Sequence, residues 1–394
     1  MKLRLLFWGY VATIVSLLLY SYTQVDLSLT LSRLSFWQTL EKSFQYIGYF
    51  QRPMSTALYL IIILLLSGFY ITFIRLVALN KLSKAFVWQL ILLSGIVLFF
   101  SYNAFSYDFF NYIFDAKIFT NYHLNPYQYM ALNFPHDPML SFMHWTHRTY
   151  PYGPVWLMAT IPLSFIGLQY FLLTFFLFKA LVVGSFLGSV YFLQKILRKT
   201  MPGEEVMGMV LFGLSPLVMI ESLVSGHLDI FMIFLAMAGL YVLIIKKYIS
   251  AFVLLFLSIG VKFGTAALVP IFLYAYGMDL LKKKIAWKHV FLASALLMIA
   301  PVVAATLRTT FQPWYVLLFL PLAALLGKKY YSIIPSVVLS FFILLEYVPY
   351  LYTGNWDPPI PTILTVITVA AVAVCLVCML GYKLRHLFFV RETR

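Results

Sequence analysis

Apolar runs of spanning or near-spanning length recur along this 394-residue chain, and no other feature limits its fold so severely. They fall at roughly 5–22, 55–78, 85–104, 170–194, 206–222, 228–245, 249–261, 263–279, 286–305, 314–327, 331–347 and 360–380. Inside hydrocarbon every backbone N–H and C=O must find a partner within the protein, which leaves helices and closed barrels. Barrel strands run about ten residues and alternate in polarity; these runs are longer and apolar throughout. With 63% hydrophobic and 10% charged residues, the chain lacks the polar surface that a water-soluble particle of this size needs. A soluble enzyme, a disordered chain and a disulfide scaffold are excluded together, since Cys375 and Cys378 lie in one apolar run. The expected fold class is all-α: a polytopic membrane protein with about twelve transmembrane helices.

Twelve spans place both termini on one side. With Lys2 and Arg4 in the cytoplasm, alternation puts 20 of the 28 basic residues there, Lys195, Arg198, Lys199, Lys282, Lys283, Lys284, Arg391 and Arg394 among them; seven fall outside and Lys179 stays within a span. That asymmetry follows the positive-inside rule, so a multi-pass plasma-membrane protein with cytoplasmic termini is expected. The same clusters account for the net charge of +15 without a nucleic-acid partner. No small-residue cleavage site follows the first run, which is therefore read as a span and not as a signal peptide. Residues 153–168 are apolar but too short to span comfortably and carry Pro154 and Pro162, so they are read as re-entrant or interfacial on the outer face. The whole chain, 1–394, reads as a single transmembrane domain with one long polar excursion at 105–152 and a less polar outer loop at 23–54. Short amphipathic helices are expected in the long loop, where Asp108, Asn111, Tyr112 and Asp115 share a helical face.

Unusual polar residues gather at the outer ends of the spans. The long loop holds Asp108, Asp115, His123, His136, Asp137, His144, His147 and Arg148; beyond it come His227 and Asp229, Lys262, then Arg308, Gln312 and Trp314, and Trp356 with Asp357. Charges at the membrane boundary are costly unless paired or functional, so their accumulation on one face marks an external site. The loop histidines have no zinc-motif spacing, and neither a metal nor another cofactor is expected. Each feature also has a structural reading: Asp229 can favour the start of a helix, Lys262 can snorkel to headgroups, and Lys179 can pair with a carboxylate or touch an anion.

Glycosyl transfer from a lipid-linked sugar would use all three features of this face. A positioned Asp takes the proton from an acceptor hydroxyl, and fixed cations at headgroup depth stabilise a departing phosphate. Aromatic side chains stack on sugar rings, and an apolar groove between helices suits a polyprenyl tail. No Gly-rich phosphate loop is present, consistent with a donor other than a nucleotide sugar.

The segments SYDFFNYIFDAKIFTNYHLNPYQY (106–129), YPYGPVW (150–156), SGHLDIFMIF (225–234), VKFGTAALVP (261–270) and FQPWYVLLFLP (311–321) occur in that order. Together they resemble the GT-C glycosyltransferases, and more narrowly the polyprenyl-phosphate-mannose-dependent mannosyltransferases of bacteria and archaea. Two positions depart from the family pattern: Leu228 stands where an Asn is expected and Ala116 where a Gly is common. The resemblance implies a GT-C-like fold, the loop 105–152 as the catalytic loop, Asp108 as general base and a polyprenyl-phospho-hexose as donor. A single base implies inversion at the anomeric carbon, with a lipid or glycan acceptor on the outer face. On this reading Asp115, Asn111, Tyr112, His227, Asp229, Trp314, Gln312 and Tyr152 bind substrate, and Lys262, Arg308 and Lys179 hold the donor phosphate. The runner-up is a lipid-linked-sugar flippase, a polymerase-like exporter or a secondary transporter. Such proteins place ionisable groups near the midplane, where only Lys179 is expected here.

Overall fold

The computed structural model describes residues 2–389, with side chains from Leu3 to Arg385. Arg391, Arg394 and the side chain of Lys2, used above to orient the chain, lie outside the described residues. Helix makes up 76% of the protein, with no strand among the described residues. In chain order the first helices are α1 (Lys2–Ser21), α2 (Ser35–Gln45), α3 (Arg52–Ala78), α4 (Lys84–Phe99), α5 (Asp108–Thr120) and α6 (Pro154–Ile166). They are followed by α7 (Phe171–Thr200), α8 (Glu205–Gly213), α9 (Pro216–Met219), α10 (Asp229–Ile244), α11 (Tyr248–Val261) and α12 (Val269–Leu280). The last are α13 (Trp287–Leu297), α14 (Ile299–Arg308), α15 (Leu320–Ala324), α16 (Tyr330–Phe342), α17 (Tyr347–Thr353) and α18 (Ile360–Phe389).

Among the described residues, seven helical stretches are long and apolar enough to cross a membrane, and eight if one bent pair counts as a single span. The other four of the twelve expected spans are the apolar helices Lys84–Phe99, Asp229–Ile244, Tyr248–Val261 and Pro313–Ala324, each of 10–17 residues. Hydropathy alone does not register the breaks that shorten them. The bent pair, Glu205–Gly213 and Pro216–Val224, turns by 55°. Its break has a chemical cause: Pro216 has no N–H to give the helix, and the Ser215 hydroxyl accepts from the Val218 N–H at 3.3 Å to start a new one. A π-turn at Ile220–Val224 follows. Segment 153–168 forms the 13-residue α6, a rise of about 20 Å against a hydrocarbon core of about 30 Å.

Lipid tails are as apolar as these helices, so association rests on close packing and interhelical hydrogen bonds. Tyr10 shares a hydrogen bond with Ser94 at 2.7 Å, and Ser215 shares one with Ser340 at 2.7 Å. The Tyr70 hydroxyl donates to the Leu211 carbonyl at 2.7 Å and that of Tyr59 to the Leu344 carbonyl at 2.8 Å. Helix α10 sits centrally, packed on α7 and α11 and wholly buried at most positions. The amphipathic helix lies in the first loop, not the second. It is α2, with Phe36 exposed on one side and Glu41 buried on another. Helix α5 in the long loop is buried around most of its circumference, so the short amphipathic helix expected there is corrected to an embedded one.

Candidate active site

Helix α5 begins at Asp108, a favourable place for a carboxylate because the N-terminal amides point at it. The Asp108 backbone N–H donates to the Ser106 hydroxyl at 3.2 Å. Phe109 packs edge-on against Phe175 with centroids 5.2 Å apart, and Phe110 against Phe142 at 5.1 Å, which fixes the helix to the start of α7. With those faces committed, the part-buried Asp108 and Asn111 turn toward the beginning of α10. Burial pushes the Asp108 carboxyl above the usual carboxylate range, and the charges of His227, Lys262 and Arg148 pull it back while Asp229 raises it. Asp115, one face-sharing step further on, is buried and raised well above that range by burial and by the charge of Asp108. The Asn111 Oδ1 is buried without a hydrogen-bond partner.

The turn 225–228 brings His227 and Asp229 against α5. Gly226 has φ +74°, and a Cβ there would meet the Phe109 ring at 2.6 Å, so only glycine allows this approach. Both His227 and Asp229 are buried. The His227 ring stacks on Trp314, with centroids 4.1 Å apart and planes 24° apart, and its Nδ1 lies 3.0 Å from Glu221 Oε2. Lys262, at the end of α11, forms an ion pair with Asp229 at 2.9 and 3.2 Å to the two carboxylate oxygens. Its ammonium also sits 5.4 Å from the centre of the Tyr315 ring. This is neither a plain helix start nor a snorkelling lysine: the two charges hold each other across the α10–α11 pair.

The strap 150–153 closes the side of the site. Tyr150 donates to the Gly153 carbonyl at 2.8 Å, and the Gly153 N–H donates to the Val261 carbonyl at 3.0 Å, next to Lys262. A Cβ on Gly153 would stand 2.1 Å from the Gly260 carbonyl oxygen. Tyr112 packs edge-on against Tyr152 and Trp156, with centroids 5.4 and 5.5 Å apart. Burial and the charge of Asp108 hold both the Tyr112 and Tyr152 hydroxyls far above their usual range, so neither acts as a base.

Asp108, Asn111, Tyr112, Asp115, Tyr152, His227, Asp229, Lys262 and Trp314 thus gather around one place. Gln312 sits beside it in the strap before Trp314 and donates to the Thr310 hydroxyl at 3.0 Å. Arg308 ends α14, exposed, with no hydrogen bond or ion pair among the described residues. Lys179 is corrected. It is wholly buried in α7 and donates to the Ser101 hydroxyl at 3.0 Å, to the Leu223 carbonyl, and to the Val224 carbonyl at 3.3 Å. These three bonds use the three N–H groups of its ammonium, which leaves none for a carboxylate or a phosphate. It ties the π-turn whose next residues are the His227 turn. The loop histidines do not cluster: His144 stacks on Tyr107 with centroids 3.7 Å apart, and among the described residues no three of His, Cys, Asp and Glu come together to hold a metal.

Sequence reading missed Glu221, Glu346 and Tyr347. Glu221 is fully buried, and its Oε1 accepts from the Tyr347 hydroxyl at 2.8 Å. Glu346 is buried and accepts from the Thr368 hydroxyl at 2.5 Å. The expectation that Lys179 is alone among ionisable groups inside the spans is corrected by these two. The signal was present as single glutamates within apolar runs, MIESLV and LLEYVP, a pattern that marks a partnered or functional group.

The arrangement can do three things together: accept a proton at Asp108, offer cationic hydrogen-bond donors at Lys262, and present Trp314, Tyr152 and Tyr315 as walls for a ring-shaped ligand. Residues 11–278 match the family described as Alpha-(1->6)-mannopyranosyltransferase, N-terminal domain, well over half the chain. No curated protein and no solved structure matches the chain. Trp314, Tyr315 and Tyr347 lie beyond the matched region, yet complete the same site.

Proposed function

The chain belongs to the Alpha-(1->6)-mannopyranosyltransferase family, GT-C-like mannosyltransferases of the membrane, and on that premise we propose that it moves mannose from a polyprenyl-phosphate-linked donor to a lipid or glycan acceptor, with inversion, at the outer face of the plasma membrane. The observation that carries this reading is the placement of Asp108 within the field of Lys262 and His227, beside the aromatic walls. The acceptor hydroxyl gives its proton to the Asp108 carboxylate as its oxygen bonds to the anomeric carbon. The bond from that carbon to the donor phosphate breaks, and its electron pair leaves with the polyprenyl phosphate. Attack opposite the leaving group inverts the centre, so a β-linked donor yields an α-linked product. Lys262 faces the charge that develops on the phosphate, where a fixed cation is worth more in the transition state than before it. Arg308, unpaired among the described residues at the end of α14, supplies a second cation. Base and cations are the protein's own side chains, so the step needs no resident cofactor.

The transporter reading draws on the 55° broken span and the buried Glu221 and Glu346. Those groups are spent on Tyr347, His227 and Thr368, and family membership favours transfer. The test uses purified protein in detergent, radiolabelled polyprenyl-phospho-mannose and an oligomannoside acceptor, with α-mannosidase digestion of the product. Label released by that enzyme is expected. Transfer from a nucleotide-linked mannose without the lipid carrier, or activity only in sealed vesicles, would overturn the reading.

A further inference from the structure

Ile113, Lys117 and Thr120 lie on the side of α5 turned away from Asp108, Asn111 and Asp115. They line a cavity of about 150 Å³, completed by Asp137 and Met139 of the long loop, Ser164 of α6, and Gln169 and Phe171 at the start of α7. One water needs about 10–15 Å³ of such space, so this cavity is far too large for a single buried water. Its polar lining is charged and incompletely paired. Asp137, with 1% of its side chain exposed, pairs with Lys117 and accepts from the Tyr122 hydroxyl at 2.6 Å and the Met139 N–H at 2.9 Å. A carboxylate has about four acceptor positions, which leaves one lone pair on Oδ1. Beyond Asp137 and the Phe114 ring, the Lys117 ammonium has no partner among the described residues. Thr120 and Ser164 share a hydrogen bond at 2.9 Å, which leaves one hydroxyl proton still to be donated. The exposed Gln169 amide has no partner among the described residues either. Leu168 and Gln169 sit at φ +48° and +64°, a left-handed backbone that such side chains adopt only at a cost.

We propose that this cavity seats the headgroup of a phosphatidylethanolamine, with its phosphate against Lys117, the Thr120–Ser164 hydroxyls and Gln169, and its ammonium on Asp137 Oδ1. Charge narrows the choice. A bare anion would meet the Asp137 carboxylate and a bare cation the Lys117 ammonium, whereas a zwitterion answers both. A neutral polyol would also find partners here, but the residues beside the lining favour a lipid. Phe119, Ile166, Leu168, Tyr170 and Leu172 are all exposed, and apolar side chains gathered at helix ends suit acyl chains. A choline headgroup has no N–H for the Oδ1 lone pair. Its quaternary ammonium also favours an aromatic cage, and Phe171 is the one aromatic ring among the lining residues. Because α5, α6, the start of α7 and the long loop all contribute to the lining, a lipid held here clamps them together. It sits across α5 from Asp108, and so is a resident of the fold and not the sugar donor. Nothing in this assignment depends on the transfer reaction.

The test uses the full chain, delipidated in detergent and titrated with dioleoyl phosphatidylethanolamine, phosphatidylcholine, phosphatidylglycerol or soluble phosphoethanolamine. Thermal unfolding and native mass spectrometry are the readouts. Phosphatidylethanolamine should raise the unfolding midpoint by several degrees and be retained as one lipid per protein. The other three should do neither. Lys117→Gln with Asp137→Asn removes both charges without stranding one, and should abolish that shift. Gln169→Ala, at an exposed position, should weaken binding of the lipid by about 2–10-fold, the worth of one hydrogen bond. Should the double variant not fold, Gln169→Ala decides, and parental affinity in it overturns the proposal. An equal shift with phosphatidylcholine or phosphatidylglycerol would overturn it in favour of general solvation by lipid. An equal shift with soluble phosphoethanolamine would overturn it in favour of a site for a free zwitterion. An undiminished shift in the double variant would place the lipid elsewhere on the protein and overturn it as well.

Discussion

Lys262→Met removes one partner of an ion pair whose members sit in different surroundings, the lysine side chain 27% exposed and the Asp229 side chain 1%. At 2.9 Å the Coulomb attraction is about 6 kcal/mol for an effective dielectric of ~20, most of it offset by the cost of drying both charges. Breaking a buried pair from one side costs about 3–5 kcal/mol, because the survivor is left uncompensated. Lysine here is partly wet, and water entering behind it will solvate Asp229 in part, so about 2–3 kcal/mol is expected. Methionine keeps the apolar stem, which confines the loss to charge. Thermal unfolding in detergent should show a midpoint lower by several degrees. Adding Asp229→Asn removes the stranded carboxylate and should restore most of that stability. Turnover separates this from a role on the donor phosphate: Lys262→Met and the double variant should both stay ~10²–10³-fold slow. Asp229→Asn alone, which keeps the ammonium, should remain within about ten-fold of the parent. Recovery of turnover together with stability in the double variant would refute the phosphate contact.

Asp108→Asn should lower turnover by ~10²–10⁴-fold and leave donor binding intact, as removal of a general base does. Because the Asp108 carboxyl is raised by burial and acts only when deprotonated, the parent rate should fall as pH drops through a limb lying above the ordinary carboxylate range; a rate flat to pH 4 would contradict this. Gly153→Ala places a methyl group 2.1 Å from the Gly260 carbonyl, backbone against backbone, so loss of both yield and activity is expected, and a well-folded, active variant would show that the strap is looser than described. Single cysteines at Asn121 and Lys283, in a Cys375- and Cys378-free background, should react with an impermeant reagent in intact cells at 121 only; the reverse pattern would place the site in the cytoplasm.

The parts of the site that were legible in the sequence are those where a charged or aromatic residue interrupts the boundary of an apolar run. Asp108, His227, Asp229, Lys262 and Trp314 stand out on that ground, and the chain brings them together as expected. What distinguishes Glu221 is a contact 126 positions away with Tyr347, and separation of that kind leaves no local pattern. Lys179 shows the opposite failure. Its charge was conspicuous, but the carbonyls it serves belong to a π-turn that hydropathy cannot detect. Hydropathy likewise passes over Pro216, which bends one expected span by 55° without making the stretch less apolar. The polar face shared by Asp108, Asn111, Tyr112 and Asp115 suggests an amphipathic helix, but the aromatic residues between them are enclosed by α7 and the 138–142 turn.

The spacing of Glu221 and His227 also bears on how the chain enters the bilayer. A polypeptide is delivered from its N-terminus, and segment 220–229 must leave the insertion machinery before Trp314 and Tyr347 have been synthesised. An isolated carboxylate at that depth would cost about 2.5–3.5 kcal/mol on insertion scales. Six residues of separation let Glu221 meet its imidazole within the same emerging segment, and Lys179, already delivered in α7, can take up the carbonyls that the π-turn frees. On this order of synthesis Glu221 and His227 can come together before the later helices bring Trp314 and Tyr347 to pack on them.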